Sequence, residues 1–80
     1  MFLHIGADYS VPVKDIALIL DCEAEMPDAT RKTLSAKQSI DAGGERRSAV
    51  VTADTVYYSP IARGTLRKRF ENILACFNIM

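Results

Sequence analysis

Two groups of cationic residues carry the chemistry that this 80-residue sequence could perform. Arg46 and Arg47 follow Gly43-Gly44, while Arg63, Arg67, Lys68 and Arg69 follow Tyr57-Tyr58-Ser59-Pro60. An arginine guanidinium is planar and presents paired N–H donors that match two phosphate oxygens, so clusters of this kind suit a phosphate-bearing anion. The biological anion this points to is nucleic acid, bound through its backbone. Each neutralised phosphate releases condensed counterion, and such binding falls with salt and reads little sequence. The same residues also suit a solvated helix face, with Arg67 and Glu71 paired at i, i+4, and a loop leading into a strand with its arginines exposed.

Other reactive side chains form no constellation. Cys22 and Cys76 have no CxxC spacing and no histidine near them, and the single histidine, His4, sits on an apolar strand as a structural or interface residue would. Ser59 has no base at a recognisable spacing and reads as a turn residue or helix cap. Asp15, Asp21, Glu23, Glu25 and Asp28 lack the loop spacing of a calcium site. No catalytic residue, metal site or cofactor is expected, and the chain reads as a non-enzyme. Tyr57 and Tyr58 would point to opposite faces of one strand, one into the core and one to a surface.

Charge is balanced overall, with 10 basic and 10 acidic residues, but unevenly placed. Residues 1–30 set Lys14 against six carboxylates, a balance of −5, and residues 31–80 set nine cations against four carboxylates, a balance of +5. With 49% hydrophobic and 25% charged residues, residues 1–80 read as a single globular domain. A domain this small buries only about 60% of the surface its unfolded chain exposes, so self-association would add useful buried area. No basic leader and no membrane-length apolar run is present, so a cytoplasmic protein with reduced thiols and no membrane contact is expected.

The elements that must position these residues follow from periodicity. Phe2–Ile5 and Tyr9–Val13 flank Gly6-Ala7-Asp8 as a hairpin, with Pro12 favouring an edge. Ile16–Leu20, an unbroken apolar run, suits a central strand covered on both faces. Met26-Pro27-Asp28 begins a helix that runs to about Ser39, followed by a loop over Asp41–Glu45. Ala49–Thr52 and Val56–Tyr58 flank a second hairpin turn. The last helix begins at Gly64 or Thr65 and turns Leu66, Phe70, Ile73, Leu74 and Phe77 inward.

Met1-Phe2-Leu3-His4-Ile5-Gly6, Val13-Lys14-Asp15-Ile16 and Val56-Tyr57-Tyr58-Ser59-Pro60 with Thr65-Leu66-Arg67-Lys68-Arg69 together resemble the RemA/RemB-like family, formerly a domain of unknown function numbered 370. The likeness covers nearly the whole chain, with the last strand-turn-helix its most specific part and residues 22–45 its least. It implies a ring-forming α/β (α+β) subunit with a small mixed or antiparallel sheet of about five strands and two helices. It further implies a cytoplasmic, homo-oligomeric regulator of biofilm matrix genes that binds duplex DNA. In the RemA branch, arginines before the strand matching Ala49-Val50-Val51 contact DNA. Here Arg46 and Arg47 stand there, offset by about a residue and preceded by Glu45. A further family arginine falls near Lys14-Asp15, its charge retained by Lys14 or reversed by Asp15. The uneven charge leaves open a second function, a module that co-assembles with a paralogous ring protein and does not touch DNA.

Overall fold

Strand-forming runs within residues 2–21 and 38–59, separated by a short helix-forming stretch and followed by a longer one, set the order of elements. The computed structural model describes residues 1–7 and 9–78, without the side chains of Phe77 and Asn78. Strands β1 (Phe2–Gly6) and β2 (Tyr9–Pro12) lead through a 3-10 turn at Val13–Asp15 to β3 (Leu18–Asp21). Helix α1 (Asp28–Ser35) precedes β4 (Gln38–Asp41), β5 (Ser48–Val51), β6 (Thr55–Ser59) and α2 (Arg63–Asn78). This is the expected α+β class, with the strands divided between two sheets. One is the β1–β2 hairpin; the other has the order β3-β5-β6-β4, antiparallel except for the parallel β4–β6 pair.

The β5–β6 hairpin is the centre of the larger sheet, and its turn is closed by side chains as well as backbone. Thr52 N–H donates to the Thr55 carbonyl at 2.8 Å, and the Thr55 N–H donates to Thr52 Oγ1 at 3.1 Å. Strand alternation then sorts the residues between two cores. Val50 and Tyr57 join Leu3, Ile5, Val11 and Leu66 beneath the β1–β2 hairpin and α2. Ala49, Val51, Val56 and Tyr58 join Leu34, Leu20, Cys22 and Met26 beneath α1. Tyr57 and Tyr58 thus serve opposite faces, as the alternation requires. On α2, Leu66 is fully buried with Phe70 and Ile73 packed behind it, whereas Leu74 is 39% exposed. The expected inward placement of Phe77 lies outside the described side chains, and Asp8 of the first hairpin loop lies outside the described residues.

Three local expectations are corrected. The apolar run Ile16–Leu20 forms an edge strand and not a central one: only Leu18–Asp21 pairs, with β5 alone, and Leu18 is 55% exposed. Helix α1 stops at Ser35 instead of near Ser39, because Gln38–Asp41 is captured as a parallel strand on β6. Gln38 N–H anchors it on the Asp54 carbonyl, and Lys37 Nζ donates to the Ala53 carbonyl. Ser59 is not a helix cap, since α2 begins four residues later at Arg63. It is a buried tie: its hydroxyl donates to the Ile5 carbonyl and accepts the Ile61 N–H, while Ser48 Oγ donates to the Ile61 carbonyl at 2.7 Å.

Pro60 fills the space beside that tie. A Cβ on Gly6, whose φ is +129°, would lie 3.0 Å from Pro60 Cδ, whereas a Cβ on Gly43, φ +99°, would meet nothing within 4 Å. Both positions disfavour an L side chain, at roughly 1–2 kcal/mol each, but only Gly6 adds a clash. Gly6→Ala is therefore expected to lower Tm more than Gly43→Ala in thermal melts, where about 1 kcal/mol corresponds to roughly 4–8 °C in a domain this size. Equal losses would show that Pro60 packing contributes nothing there.

Candidate nucleic-acid interface

Arg46 and Arg47 leave the loop before β5 by different means. Asp41, at the end of β4, accepts the Gly43 N–H at 3.0 Å and Arg46 Nε at 3.0 Å. That carboxylate therefore forms an Asx-type turn and fixes one edge of the guanidinium. The other constraint is aromatic: the Arg46 guanidinium carbon lies 4.1 Å from the centroid of the Tyr58 ring, within cation–π range. Arg47 is held by its backbone, its N–H donating to the Ser59 carbonyl at 2.9 Å and its carbonyl accepting the Cys22 N–H at 3.0 Å. Its side chain is half exposed, 3.8 Å from the Glu45 carboxylate. The pair is thus an extension of the β3-β5-β6 ladder, with two guanidinium groups presented at the end of the sheet.

The remaining candidates do not join them in one patch. Arg63 starts α2 near the same end of the sheet, but its Nε donates to the Ile19 carbonyl at 3.2 Å and straps the helix to β3. Arg67 pairs with Glu71 at 3.2 Å in the expected i, i+4 geometry. Lys68 and Arg69 are exposed on α2 and make no ion pair among the described residues. Lys14 lies in the 3-10 turn at the opposite end of β5, beside Thr52, Ala53 and Asp54. Four strand residues separate the two ends, about 13 Å. One residue the sequence did not single out belongs beside Arg46: Arg31 of α1 lines the same cleft of about 430 Å³. The two arginines are far apart along the chain and α1 reads as a solvated helix, so no local spacing betrays the juxtaposition.

Histidine and cysteine take structural places. His4 Nε2 donates to the Ala7 carbonyl at 2.9 Å, closing the first hairpin loop where Ala7 has φ +45°. Cys22 is half-buried beside Arg46, and burial pushes its thiol up, with the Asp21 carboxylate adding to the rise and the Arg46 guanidinium opposing it. Cys76 is exposed on α2. Because the thiolate is the nucleophile, iodoacetamide at mildly alkaline pH is expected to label Cys76 before Cys22. Faster labelling of Cys22, read by mass spectrometry, would contradict its burial.

The Asp41 clamp also has a pH signature. The Gly43 N–H, then the Arg46 hydrogen bond, hold the Asp41 carboxyl below its ordinary value of 3.8. A depressed carboxyl contributes stability above its unfolded pKa and loses it as pH falls through the lower folded value. The carboxyl carbon of Asp41 should therefore titrate below 3.8 by NMR. Arg46→Ala should move that midpoint upward; an unmoved midpoint would mean that the Asp41–Arg46 pair does not persist in solution.

The chain is thus a small α+β protein whose central hairpin carries two adjacent arginines at one end, Arg46 oriented by Asp41 and Tyr58. A family model for RemA-like proteins, described as extracellular matrix regulatory protein A-like, matches residues 2–70. The chain is similar to extracellular matrix regulatory protein B of Bacillus subtilis (strain 168), with 35% identity over 74 residues that cover 89% of this chain and 91% of the relative. No solved structure gives a significant match. The chain belongs to the RemA-like family.

Proposed function

We propose that this protein is a non-enzymatic regulator of extracellular matrix genes that binds duplex DNA through backbone phosphates as a homo-oligomer. The observation that carries the proposal is the pair Arg46 and Arg47, exposed at the end of the central hairpin and held there by Asp41, Tyr58 and the ladder. Preset guanidinium groups lose less rotamer entropy on meeting phosphate than free ones do. Family membership and the name of the Bacillus subtilis relative support the regulatory role. Arg63, Arg67, Lys68, Arg69 and Lys14 lie outside the patch of that pair and would add contacts only where the duplex reaches them.

Self-association is supported by apolar surface that one subunit leaves uncovered. Met1 and Phe2 are 61% and 64% exposed, and with Pro12, Val13, Ile73 and Leu74 they line a groove of about 600 Å³. The apolar edge strand β3 has no partner on its outer side among the described residues. An edge without a strand partner, met here by Arg63 Nε at the Ile19 carbonyl, still leaves Leu18 exposed for another chain. Repeating the arginine pair around an assembly would multiply weak phosphate contacts into useful affinity.

Zero net charge and the carboxylates beside Arg46, Arg47 and Arg67 favour a second reading, a subunit that co-assembles with a paralogous regulator and leaves DNA contact to it. Fluorescence anisotropy with duplex DNA over a salt series, paired with mass measurement, separates the two. Direct binding should weaken as salt rises, with a log–log slope of about −0.9 per neutralised phosphate. Arg46→Ala/Arg47→Ala should reduce both affinity and slope, the slope by roughly one unit for each phosphate that is no longer neutralised. No binding by the purified protein at low salt would overturn the first reading; restoration only by a co-purified partner would establish the second.

A further inference from the structure

The cleft between α1 and the loop before β5 has a lining whose charge is one-sided. Arg31 and Arg46 both line it, together with Cys22, Met26, Leu34 and Tyr58, and no carboxylate is among the lining residues. This follows from a local alternation: Cys22, Ala24 and Met26 line the cleft, while the exposed Asp21, Glu23 and Glu25 that alternate with them do not. The Asp21 carboxylate is turned to the Glu23 N–H, and Asp41 is occupied by Gly43 and Arg46. Arg31 is exposed and makes no ion pair among the described residues. The base of the cleft is apolar, with Leu34 buried and Met26 half-buried. Ser35 Oγ, also on the lining, donates to the Arg31 carbonyl, so its hydrogen is already committed and the two guanidinium groups are the donors on offer.

We propose that Arg31 and Arg46 are the two jaws of a phosphate-binding cleft, Arg46 held rigid by Asp41 and Tyr58 and Arg31 closing from the helix. Arg46 keeps its terminal nitrogens for a ligand because its Nε is the atom bonded to Asp41. Two planar forks approaching from separate elements can share the oxygens of a single phosphoryl group, which one lysine-like point charge cannot do. The volume lies within the usual range for a small ligand, roughly 300–1,000 Å³, and the apolar base would accept the sugar or base attached to the phosphate. The ligand class is a phosphate ester, supplied either by the DNA backbone or by a free nucleotide. The DNA source rests on the function proposed above; the free nucleotide does not.

The test is an NMR titration of labelled full-length protein at low salt, with inorganic phosphate, adenosine monophosphate and a short duplex as separate probes. Adenosine monophosphate should shift the amides of Cys22, Arg31, Ser35 and Tyr58, and Arg31→Ala should weaken that binding roughly tenfold, as removal of a charge-assisted hydrogen bond predicts. Arg31→Lys should recover only part, and Arg31→Ala should leave Tm nearly unchanged because the side chain is exposed. Displacement of the monophosphate by duplex supports the proposal and assigns the cleft to backbone phosphate. Binding of the monophosphate unaffected by duplex supports it and assigns the cleft to a free nucleotide. Unshifted cleft amides at millimolar monophosphate and phosphate, or equal affinity in Arg31→Ala, overturn it. Duplex binding without any monophosphate response overturns the cleft alone, whereas a monophosphate response without duplex binding overturns the DNA reading alone.

Discussion

The hydroxyl of Ser59 is the contact on which the rest of the arrangement depends. It is fully buried, donates to Ile5 in β1 and accepts from Ile61 in the turn before α2, while its own residue's carbonyl receives the Arg47 N–H. Through Ser48, the carbonyl of the same residue, Ile61, is tied to β5. Ser59, through its hydroxyl and its carbonyl, therefore joins the separate hairpin, the turn before the last helix and the strand end that carries the arginines. Removing a buried partner strands the group it served, at about 1–3 kcal/mol, which is a large share of what a domain this small can hold in reserve. Pro60 completes the junction by packing against Gly6 and Gly44, where a side chain would collide. The junction of small residues thus fixes the strand end that carries the arginine pair, and Asp41 and Tyr58 then orient Arg46 upon it.

Much of that junction could be read from residue types, because it is built from local rules. Both hairpins, the opposite faces of Tyr57 and Tyr58, the start of α1 at Pro27-Asp28 and the buried face of α2 at Leu66 follow from alternation, turn composition and helical spacing. What could not be read was set by long-range pairing. Ile16–Leu20 has the composition of a strand buried on both faces, yet strand order places it at an edge, and strand order is not a property of the strand itself. The stretch Gln38–Asp41 looks like the polar end of a helix, and only pairing with β6 makes it a strand. The site was legible to the same extent. Arg46 and Arg47 announce themselves as adjacent cations, while Arg31 belongs beside Arg46 only because α1 covers the face that Tyr58 occupies.

The ion pairs within this chain bear on whether its arginines are available. Asp41, Glu45 and Glu71 accompany Arg46, Arg47 and Arg67, and all six side chains are at least 42% exposed. Exposed pairs of this kind are worth about 0–1 kcal/mol and are screened by salt. They are too weak to withhold a guanidinium from phosphate, but they can decide its direction. Asp41 is the clearest case, since it takes Nε and leaves the terminal nitrogens outward. Glu45, at 3.8 Å from Arg47, imposes no such geometry and serves chiefly to lower local charge. Net neutrality is therefore compatible with phosphate binding, provided that the binding relies on orientation more than on charge density.

That condition bears on assembly. A subunit that offers two or three guanidinium groups, of which those of Arg46 and Arg47 are partly neutralised, would gain little from a single encounter with DNA, because association must first offset the loss of translational and rotational freedom. Lys14 is not clustered with them within one subunit, since the length of β5 separates it from Arg46 and Arg47. Linking subunits changes the balance: once one is bound, the next meets phosphate at a high effective concentration, and modest contacts multiply. On the proposed assembly, the apolar residues left uncovered at Met1, Phe2 and Leu18 would be the surface that meets a neighbour. Burying them against a neighbour would cover the apolar edge that strand order leaves open and, in the same step, supply the repetition that arginines offset by nearby carboxylates would need.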